Sequence, residues 1–406
     1  MNIWLINHYA LTPQHSGGTR HYDLAKELIK KGHRVTIVAA SFHYVSNQEM
    51  KQYPEGKEML LEIIDGVSFI WIKTRPYKGN GIGRVLNMLD FTKKLHNIST
   101  ISLTPPEIIV GSSVHLFAVY GAYRLAQKYR VPFVMEVRDI WPQTLIDLGI
   151  SKYHPFVLLL GWLEPFLYRK ADAIITLLPK ADQHIKKFAI EAQKIHWISN
   201  GVDLTPFEKG SPSQHLNPSK FNLLYTGTLG LANNLEPLIE AAHHLKEIPQ
   251  IHITLVGSGP KLETLKQQAA DLDNITFLPP VPKTEIPALL LEADAFFLAL
   301  KDIPLYRFGM SMNKLFDYMA AAKPIVFATN IEENPVEIAQ AGIQTLPDDV
   351  DDIVKAIRTL YNATKETQKT MGDNGLRYVS QHFSIPVIAT QFESALIKAQ
   401  LHYEQN

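Results

Sequence analysis

The sequence predicts an α/β protein of two tandem domains, each a doubly wound parallel sheet, with the two sheets facing a cleft. Three observations carry the prediction. The chain has 406 residues, more than one hydrophobic core supports. Short apolar runs alternate with segments of helical period along most of its length, the pattern of strand, crossover helix and parallel strand. That alternation breaks once, at residues 201–220, GVDLTPFEKGSPSQHLNPSK, and then restarts. Gly, Pro, Ser and Asn dominate the break, so it reads as a domain linker.

Residues 2–8 form the first strand, short and apolar. A helix is expected over 19–31, where Tyr22, Ala25, Leu28 and Ile29 make the apolar stripe and Gly32 supplies a stop. Strands follow at 34–40, 67–73, 107–111, 132–137, 173–178 and 195–199, most of them separated by helical patterns. These complete a first domain at 1–200. Beyond the linker, strands are expected at 221–229, 251–257, 275–280, 295–300 and 324–329, within a second domain at 221–385. A last helix opens at 385 and runs to about 400. In such sheets ligands collect beyond the carboxyl ends of the strands, near the point where strand order reverses.

Composition narrows the function classes. Hydrophobic residues make up 46% and charged residues 20%, as in an ordinary globular protein. Lys plus Arg and Asp plus Glu both number 40, so no net charge draws nucleic acid. There is no cysteine. That excludes disulfides, thiolate metal sites and a cysteine nucleophile, and it favours a reducing, cytoplasmic setting. The N-terminal MNIWLINHYALTPQHSGG lacks the basic region and long apolar core of a signal peptide. No run approaches the roughly 18 apolar residues of a spanning helix. The longest, 156–163, stops at Glu164.

Several stretches carry candidate chemistry. In Ser16-Gly17-Gly18-Thr19-Arg20-His21 the glycines follow the first strand and open a helix. Gly17 and Gly18 then let the backbone approach an anion at the helix start; a flexible loop with a Thr19 cap is the plainer alternative. Val256-Gly257-Ser258-Gly259-Pro260 has two of the three dinucleotide glycines and reads better as a tight turn. In FGMSMNKLFDYMAAAKPIVFAT, residues 308–329, Asn313 is expected to cap a helix. Lys314 puts a cation where a helix prefers anions, a mismatch that a bound phosphate relieves. Asp317, a turn later on the same face, suits a ribose diol. Ser311 precedes them in the same loop, as does Arg307, a second phosphate clamp. A Lys314–Asp317 surface ion pair is the bland alternative.

In Glu136-Val137-Arg138-Asp139-Ile140-Trp141-Pro142 charge arrives abruptly at the end of an apolar strand, so Arg138 and Asp139 are candidate site residues. A buried Arg–Asp pair is the structural alternative. His115 follows GSSV at another strand end and is a third candidate, although a lone His is more often structural. Asp348-Asp349-Val350-Asp351-Asp352 contains D-x-D, yet acids before IVKAIRTLY suit the first turn of a helix better than a metal.

Taken in order, GGTRHYDLAKELIKKGHRVTIVAASF, VPFVMEVRDIWP, ISNGVDLTPF and SMNKLFDYMAAAKPIV resemble the retaining GT-B glycosyltransferases of family 4. Within that family they are most similar to the O-antigen and capsule subgroup described as L-fucosamine-transferase-like. The resemblance covers nearly the whole chain. It implies the GT-B fold: two Rossmann-like domains, the first binding the acceptor and the second the nucleotide-sugar, with a final helix at about 386–406 crossing back. Three departures stand out. The family often has two glutamates eight residues apart around the 308–329 helix; here the second matches Asp317 and the first falls on Gly309. Arg138 and Asp139 stand where many members carry a pocket His. TGTLGLANN lacks the Arg and Lys often found after the first strand of the second domain, which leaves Arg307 and Lys314 as diphosphate partners.

The activity so implied is transfer of a hexose, an N-acetylated amino sugar, from a UDP-sugar to a growing glycan. The UDP-sugar is a co-substrate; no cofactor and no metal are expected. The amides of Gly17 and Gly18, with Arg307 and Lys314, would stabilise the leaving diphosphate, and Asp139 would orient the sugar or the acceptor. No flanking carboxylate pair of the retaining-glycosidase kind stands out. That fits a front-face route in which the leaving phosphate takes the acceptor proton. The acceptor is expected to be a glycan or polyprenol-linked glycan. Residues 75–94 and 153–172 mix aromatic and basic side chains, which predicts peripheral contact with the cytoplasmic membrane face; packing of both segments into the core is the alternative. A GT-B sugar-nucleotide epimerase and a non-catalytic nucleotide-sugar-binding protein share the fold and stay open. An NAD-dependent dehydrogenase would need a complete glycine fingerprint, which is absent.

Overall fold

The computed structural model describes residues 1–15, 17–44, 46–79, 81–98, 103–113, 115–209 and 215–405. Ser16 of the first glycine loop, Val114 of GSSV and 210–214 of the linker lie outside the described residues. The chain forms two units. One comprises Met1–Asn200, Arg307–Ser311 and Ile385–Asn406, the other Gly201–Tyr306 and Met312–Ser384.

The strands of the first unit are β1 (Asn2–Ile6), β2 (Arg34–Ala40), β3 (Phe42–His43), β4 (Gln48–Glu49), β5 (Met59–Ile64), β6 (Val67–Ile72), β7 (Ile108–Ser112), β8 (Phe133–Val137), β9 (Ala173–Thr176) and β10 (Ile195–Trp197). Its main sheet has the order β10-β9-β8-β7-β1-β2-β6-β5, while β3 and β4 pair apart as a short antiparallel ribbon. Every residue of β1 is buried, as in a strand covered on both faces. It pairs in parallel with β2 on one side and β7 on the other, so strand order reverses between β1 and β7. The carboxyl ends of these two strands lead into His8, Tyr9 and Ser113.

The first sheet is not wholly parallel as expected, because β5 runs antiparallel to β6. Asp65 and Gly66 join them at φ 49° and 83°, the two-residue hairpin geometry that Asp-Gly favours. As an edge strand, β5 is only half-buried or exposed along its length, which leaves a weak apolar pattern at 59–64. The helix Arg20–Lys30 buries Tyr22, Leu24, Ala25 and Leu28, with Leu24 taking the place expected for Ile29. The final helix, Ile385–Gln405, docks on this unit. Its Glu393 receives Lys31 Nζ at 2.7 Å and His33 Nε2 at 2.6 Å, beside buried Ile388, Phe392 and Leu396.

The second unit carries β11 (Phe221–Thr226), β12 (Ile251–Val256), β13 (Ile275–Leu278), β14 (Ala295–Ala299), β15 (Ile325–Ala328) and β16 (Gly342–Thr345). They form one sheet in the order β13-β12-β11-β14-β15-β16, all pairs parallel. Its reversal lies between β11 and β14. The edge strand β16, mostly half-buried, is the one the apolar pattern did not reveal. Gly257 and Gly259 serve the expected tight turn after β12: a Cβ on either would lie 1.9 Å from the Gly227 carbonyl oxygen or 2.3 Å from that of Leu229. The segment expected as a linker holds a short helix, Thr205–Lys209, and Val202 bridges to Ser384.

Candidate functional site

At the reversal point of the first sheet, a chain of hydrogen bonds fixes the end of β1. His115 is fully buried and caps the helix Leu116–Tyr129. Its Nδ1 accepts from the Ala118 N–H at 3.2 Å, so Nε2 bears the proton and donates to His8 Nδ1 at 2.8 Å. His8 Nε2 then carries a hydrogen and turns toward Asn87 Oδ1; both atoms are buried with no partner inside bonding distance. Asn87 is anchored by its Nδ2 on Thr74 Oγ1 and the Arg75 carbonyl, at 2.9 and 2.6 Å. Burial lowers His115 to about 3 and His8 well below the ordinary range, so both rings stay neutral. His115 has no ring nitrogen left for a substrate. Its expected catalytic role is therefore corrected: it positions the strand end.

Beside this relay lies a buried charge cluster that the sequence reading passed over. Glu136, the fourth residue of β8, is fully buried. Its carboxylate accepts from Arg20 Nε at 2.9 Å, His21 Nε2 at 2.7 Å and Ser112 Oγ at 2.7 Å. Burial alone would raise this carboxyl, but His21 and Arg20 outweigh it and hold it well below the usual carboxylate range. Arg20 also donates to the carbonyls of Ser199 and Ile198, and Asn7 Nδ2 donates to His21 Nδ1 at 2.9 Å. The cluster thus ties together the ends of β1, β8 and β10 and the first turn of the helix Arg20–Lys30. Its sequence signal was present in the quoted motifs, which contain Glu136, Arg20 and His21.

Two residues further, Arg138 is half-buried and Asp139 exposed. The Arg138 N–H donates to Ser113 Oγ at 3.1 Å. Surrounding protein raises the Asp139 carboxyl, with the Arg138 charge acting against that rise. Gly17 is exposed and Gly18 half-buried. Gly17 has φ 141°, and a Cβ there would lie 2.5 Å from Leu11 Cδ1 and 3.2 Å from the Tyr44 hydroxyl. The Thr19 cap of the plainer alternative is not made; its hydroxyl donates to Asp23 Oδ2 at 2.6 Å instead.

The loop Arg307–Ser311 belongs to the first unit. Arg307 is exposed, pairs with Asp147 at 3.2 Å and stacks 4.8 Å from the Phe308 ring. Ser311 Oγ meets Ser199 Oγ and the Asn200 N–H, each at 2.8 Å. Gly309 has φ 84°, and a Cβ there would sit 2.4 Å from Pro179 Cγ. No side chain fits this position without displacing Pro179, which gives a physical reason for glycine where the family often has its first glutamate.

In the second unit the helix is Asn313–Ala320, and its cap is Met312. Asn313 is therefore the first helical residue and exposed, not the expected cap. Lys314 is half-buried and reaches the carboxyl end of β11. Its Nζ donates to the Tyr225 hydroxyl at 2.8 Å and Asn233 Oδ1 at 3.0 Å, and lies 4.5 Å from the Tyr225 ring centre. Among the described residues it enters no ion pair, so the bland Lys314–Asp317 alternative falls. Burial lowers Lys314 to about 8. Asp317 is half-buried one turn later. Tyr225 and Asn233, which hold the ammonium, were missed in sequence; Asn233 lies in the very TGTLGLANN stretch that lacks basic residues. Asp349 accepts from the Asp352 N–H and caps the helix Val350–Asn362, as the plain reading of that acidic run expects. The structure thus gathers Gly17, Gly18, His115, Arg138, Asp139, Arg307 and Ser311 in the first unit and Asn313, Lys314 and Asp317 in the second.

Comparison with known proteins adds to this geometry. Residues 17–206 match the family described as Glycosyltransferase Family 4, and residues 220–363 match Glycosyl transferases group 1. WcaI of Escherichia coli (strain K12), named for glycosyl transfer in colanic acid biosynthesis, is 23% identical over 296 residues, 69% of this chain and 72% of that protein. Sucrose-phosphate synthase from Thermosynechococcus elongatus has a similar structure, with a TM-score of 0.73 at 17% identity over 97% of each chain. HepE of Anabaena, in complex with UDP and glucose, has a TM-score of 0.66 at 18% identity, over 98% of this chain and 99% of that one. These likenesses share the two-domain GT-B fold. With residues 17–206 and 220–363 matched in order, the chain is built of a family 4 and a group 1 glycosyltransferase domain.

Proposed function

We propose that the protein is a retaining hexosyltransferase that moves an N-acetylated amino sugar from a UDP-sugar to a polyprenol-linked glycan in O-antigen or capsule assembly. One observation carries the donor side: the Lys314 ammonium held at the end of β11, at the reversal point of the second sheet. An ammonium has three hydrogens, and Tyr225 and Asn233 take two. The third serves a diphosphate oxygen, while Asp317 accepts from the ribose hydroxyls. The UDP complexes of the HepE neighbour support UDP as the leaving group. In the transfer, the bond from the anomeric carbon to the diphosphate oxygen breaks, and the acceptor oxygen bonds to the same face. The acceptor proton passes to the leaving phosphate. In the second unit Lys314 neutralises the developing charge without a metal; in the first, Asp139 orients the sugar or the acceptor.

The membrane side of the reading rests on exposed apolar residues of the first unit. The helix Ile82–Leu95 exposes Ile82 (79%), Leu86 and Leu89 at positions i, i+4 and i+7, and the helix Pro155–Lys170 exposes Leu158, Leu159 and Trp162 (65%). Exposed Lys93, Arg169 and Lys170 flank them. No helix among the described residues is long and apolar enough to cross a membrane. Such faces suit the boundary of an anionic bilayer.

The test is turnover of a panel of UDP-hexoses with a short-chain polyprenyl diphosphate glycan, with and without EDTA. Transfer with retained anomeric configuration, unaffected by EDTA, is expected. Release of an epimerised sugar without acceptor would favour an epimerase, and UDP-sugar binding without turnover a binding protein. Activity lost with EDTA and restored by Mg²⁺ would overturn the metal-independent route.

A further inference from the structure

The carboxyl edge of the first sheet gathers aromatic rings and guanidinium groups from five segments, of which only Arg138 was a candidate site residue above. Tyr9 follows β1 and Tyr44 follows β3; their rings lie 5.2 Å apart. Tyr77 follows β6 and packs 5.2 Å from Phe42. Arg84, in the first turn of the helix Ile82–Leu95, lies 5.7 Å from the Tyr9 ring centre and donates from Nε to the Tyr9 hydroxyl at 3.5 Å. Arg138, one residue past β8, acts electrostatically on Tyr44. The Tyr44 hydroxyl also borders Gly17, 3.2 Å from where a Cβ would stand.

The charge balance of this edge is uneven. Glu136 spends both carboxylate oxygens on Arg20, His21 and Ser112. Among the described residues Arg138 forms no ion pair, and its acidic neighbour in sequence, Asp139, is exposed, with its carboxyl raised by the surrounding protein. The guanidiniums of Arg138 and Arg84 both act on Tyr44. Burial raises Tyr44 and Tyr77, so both remain hydroxyl donors at neutral pH. Guanidinium groups match phosphate oxygens in forked pairs. Tyrosine rings offer flat faces to the apolar side of a sugar ring and hydroxyls to its rim.

We propose that this edge is a subsite for a phosphorylated sugar, the phosphate bound by Arg84 and Arg138 and the sugar ring packed on the exposed ring of Tyr44, which buried Tyr9 and Tyr77 support. As an acceptor subsite it rests on the glycosyl-transfer reading; as a phosphate site it stands on the first unit alone. Two sources share the chemistry: a lipid-linked sugar diphosphate and a free sugar phosphate.

The test is calorimetric titration of the full chain, first with UDP and then, at saturating UDP, with inorganic pyrophosphate. Loss of UDP binding would count against the donor reading and leave this subsite to be judged by pyrophosphate alone. Pyrophosphate is expected to bind the UDP-loaded protein. Arg84→Gln and Arg138→Gln should each weaken it at least tenfold with UDP affinity unchanged, and Arg84→Lys should recover part of the loss. Tyr44→Ser, at an exposed position that leaves the core intact, should weaken octyl glucosyl diphosphate and spare pyrophosphate. Equal pyrophosphate affinity in wild type and both arginine variants, or no binding in the millimolar range, overturns the proposal. Octyl glucosyl diphosphate binding more tightly than glucose 1-phosphate identifies the lipid-linked source; the reverse order identifies the free sugar phosphate.

Discussion

At the residue scale, Lys314 and His115 show how burial sets protonation. Lys314 is lowered to about 8 by burial, against about 10.4 for an exposed lysine. If its ammonium binds the leaving diphosphate, kcat/KM should fall above about pH 8. Lys314→Arg should move that fall to higher pH, and Lys314→Ala should reduce turnover by roughly 100–1000-fold. A pH profile unchanged in the arginine variant would place the titrating group elsewhere. Stability follows the opposite sense. Between pH 8 and about 10.4 the unfolded chain holds the lysine proton and the folded one does not, so stability rises with pH there. His115, at about 3 in the folded state, gives a second window. Between pH 3 and about 6.5 the unfolded chain binds the extra proton, so stability is lost as pH falls, by up to about 1.4 kcal/mol per unit. His115→Asn keeps a capping side chain and removes the titration. Its urea midpoint should depend less on pH across this window than that of wild type; parallel pH curves would show that the ring is solvated.

At the element scale, the Glu136 cluster fastens strand ends to a helix start. Removing the charge while keeping the shape, as in Glu136→Gln, leaves the Arg20 guanidinium buried without its counterion. Breaking such a pair costs about 3–5 kcal/mol, which a urea unfolding curve resolves. A loss below about 1 kcal/mol would mean that Arg20 reaches water in the variant. The Arg307–Ser311 loop makes a different point. Gly309→Ala adds a Cβ against Pro179 at a left-handed φ. About 1–2 kcal/mol of backbone strain should add to the clash and lower the thermal midpoint. An unchanged midpoint would show that the loop moves freely off Pro179. The two effects should couple, because Arg20 and the loop's Ser311 both bond to Ser199.

At the scale of the whole molecule, the apolar and basic faces of the helices Ile82–Leu95 and Pro155–Lys170 bear on where the reaction happens. Neither helix is wholly core: Phe91 and Leu160 are buried while Ile82 and Trp162 are largely exposed. Binding to liposomes containing anionic lipid is expected at low salt and should weaken as salt screens the charges. Trp162→Ala combined with Lys93→Glu and Arg169→Glu should shift the protein to the supernatant, while its thermal midpoint stays near wild type because all three side chains are exposed. Arg84 is left out of this test because it is engaged with Tyr9. Equal pelleting of variant and wild type at low salt would reject membrane contact through these helices.

What the sequence determined alone was local or periodic. The central strands β1, β2, β7, β8, β11, β12, β14 and β15 are apolar because a parallel sheet is covered on both faces, and that pattern is visible without any fold. The Asp349 cap and the tight turn at Gly257 and Gly259 are local chemistry, and they too were legible. The half-covered edge strands β5 and β16 were not, since exposure dilutes the apolar signal. The site was legible only in part, for a reason of distance along the chain. Lys314 stood out as a cation at a helix start, but its partners Tyr225 and Asn233 lie 89 and 81 residues away. Glu136 meets Arg20 across 116 residues, and His8 meets His115 across 107. Motif reading favours the charges that end a strand, so it chose Arg138 and Asp139 over the buried Glu136 two residues before. Burial, tautomer and ion pairing depend on which segments the fold brings together, and only the tertiary structure decides them.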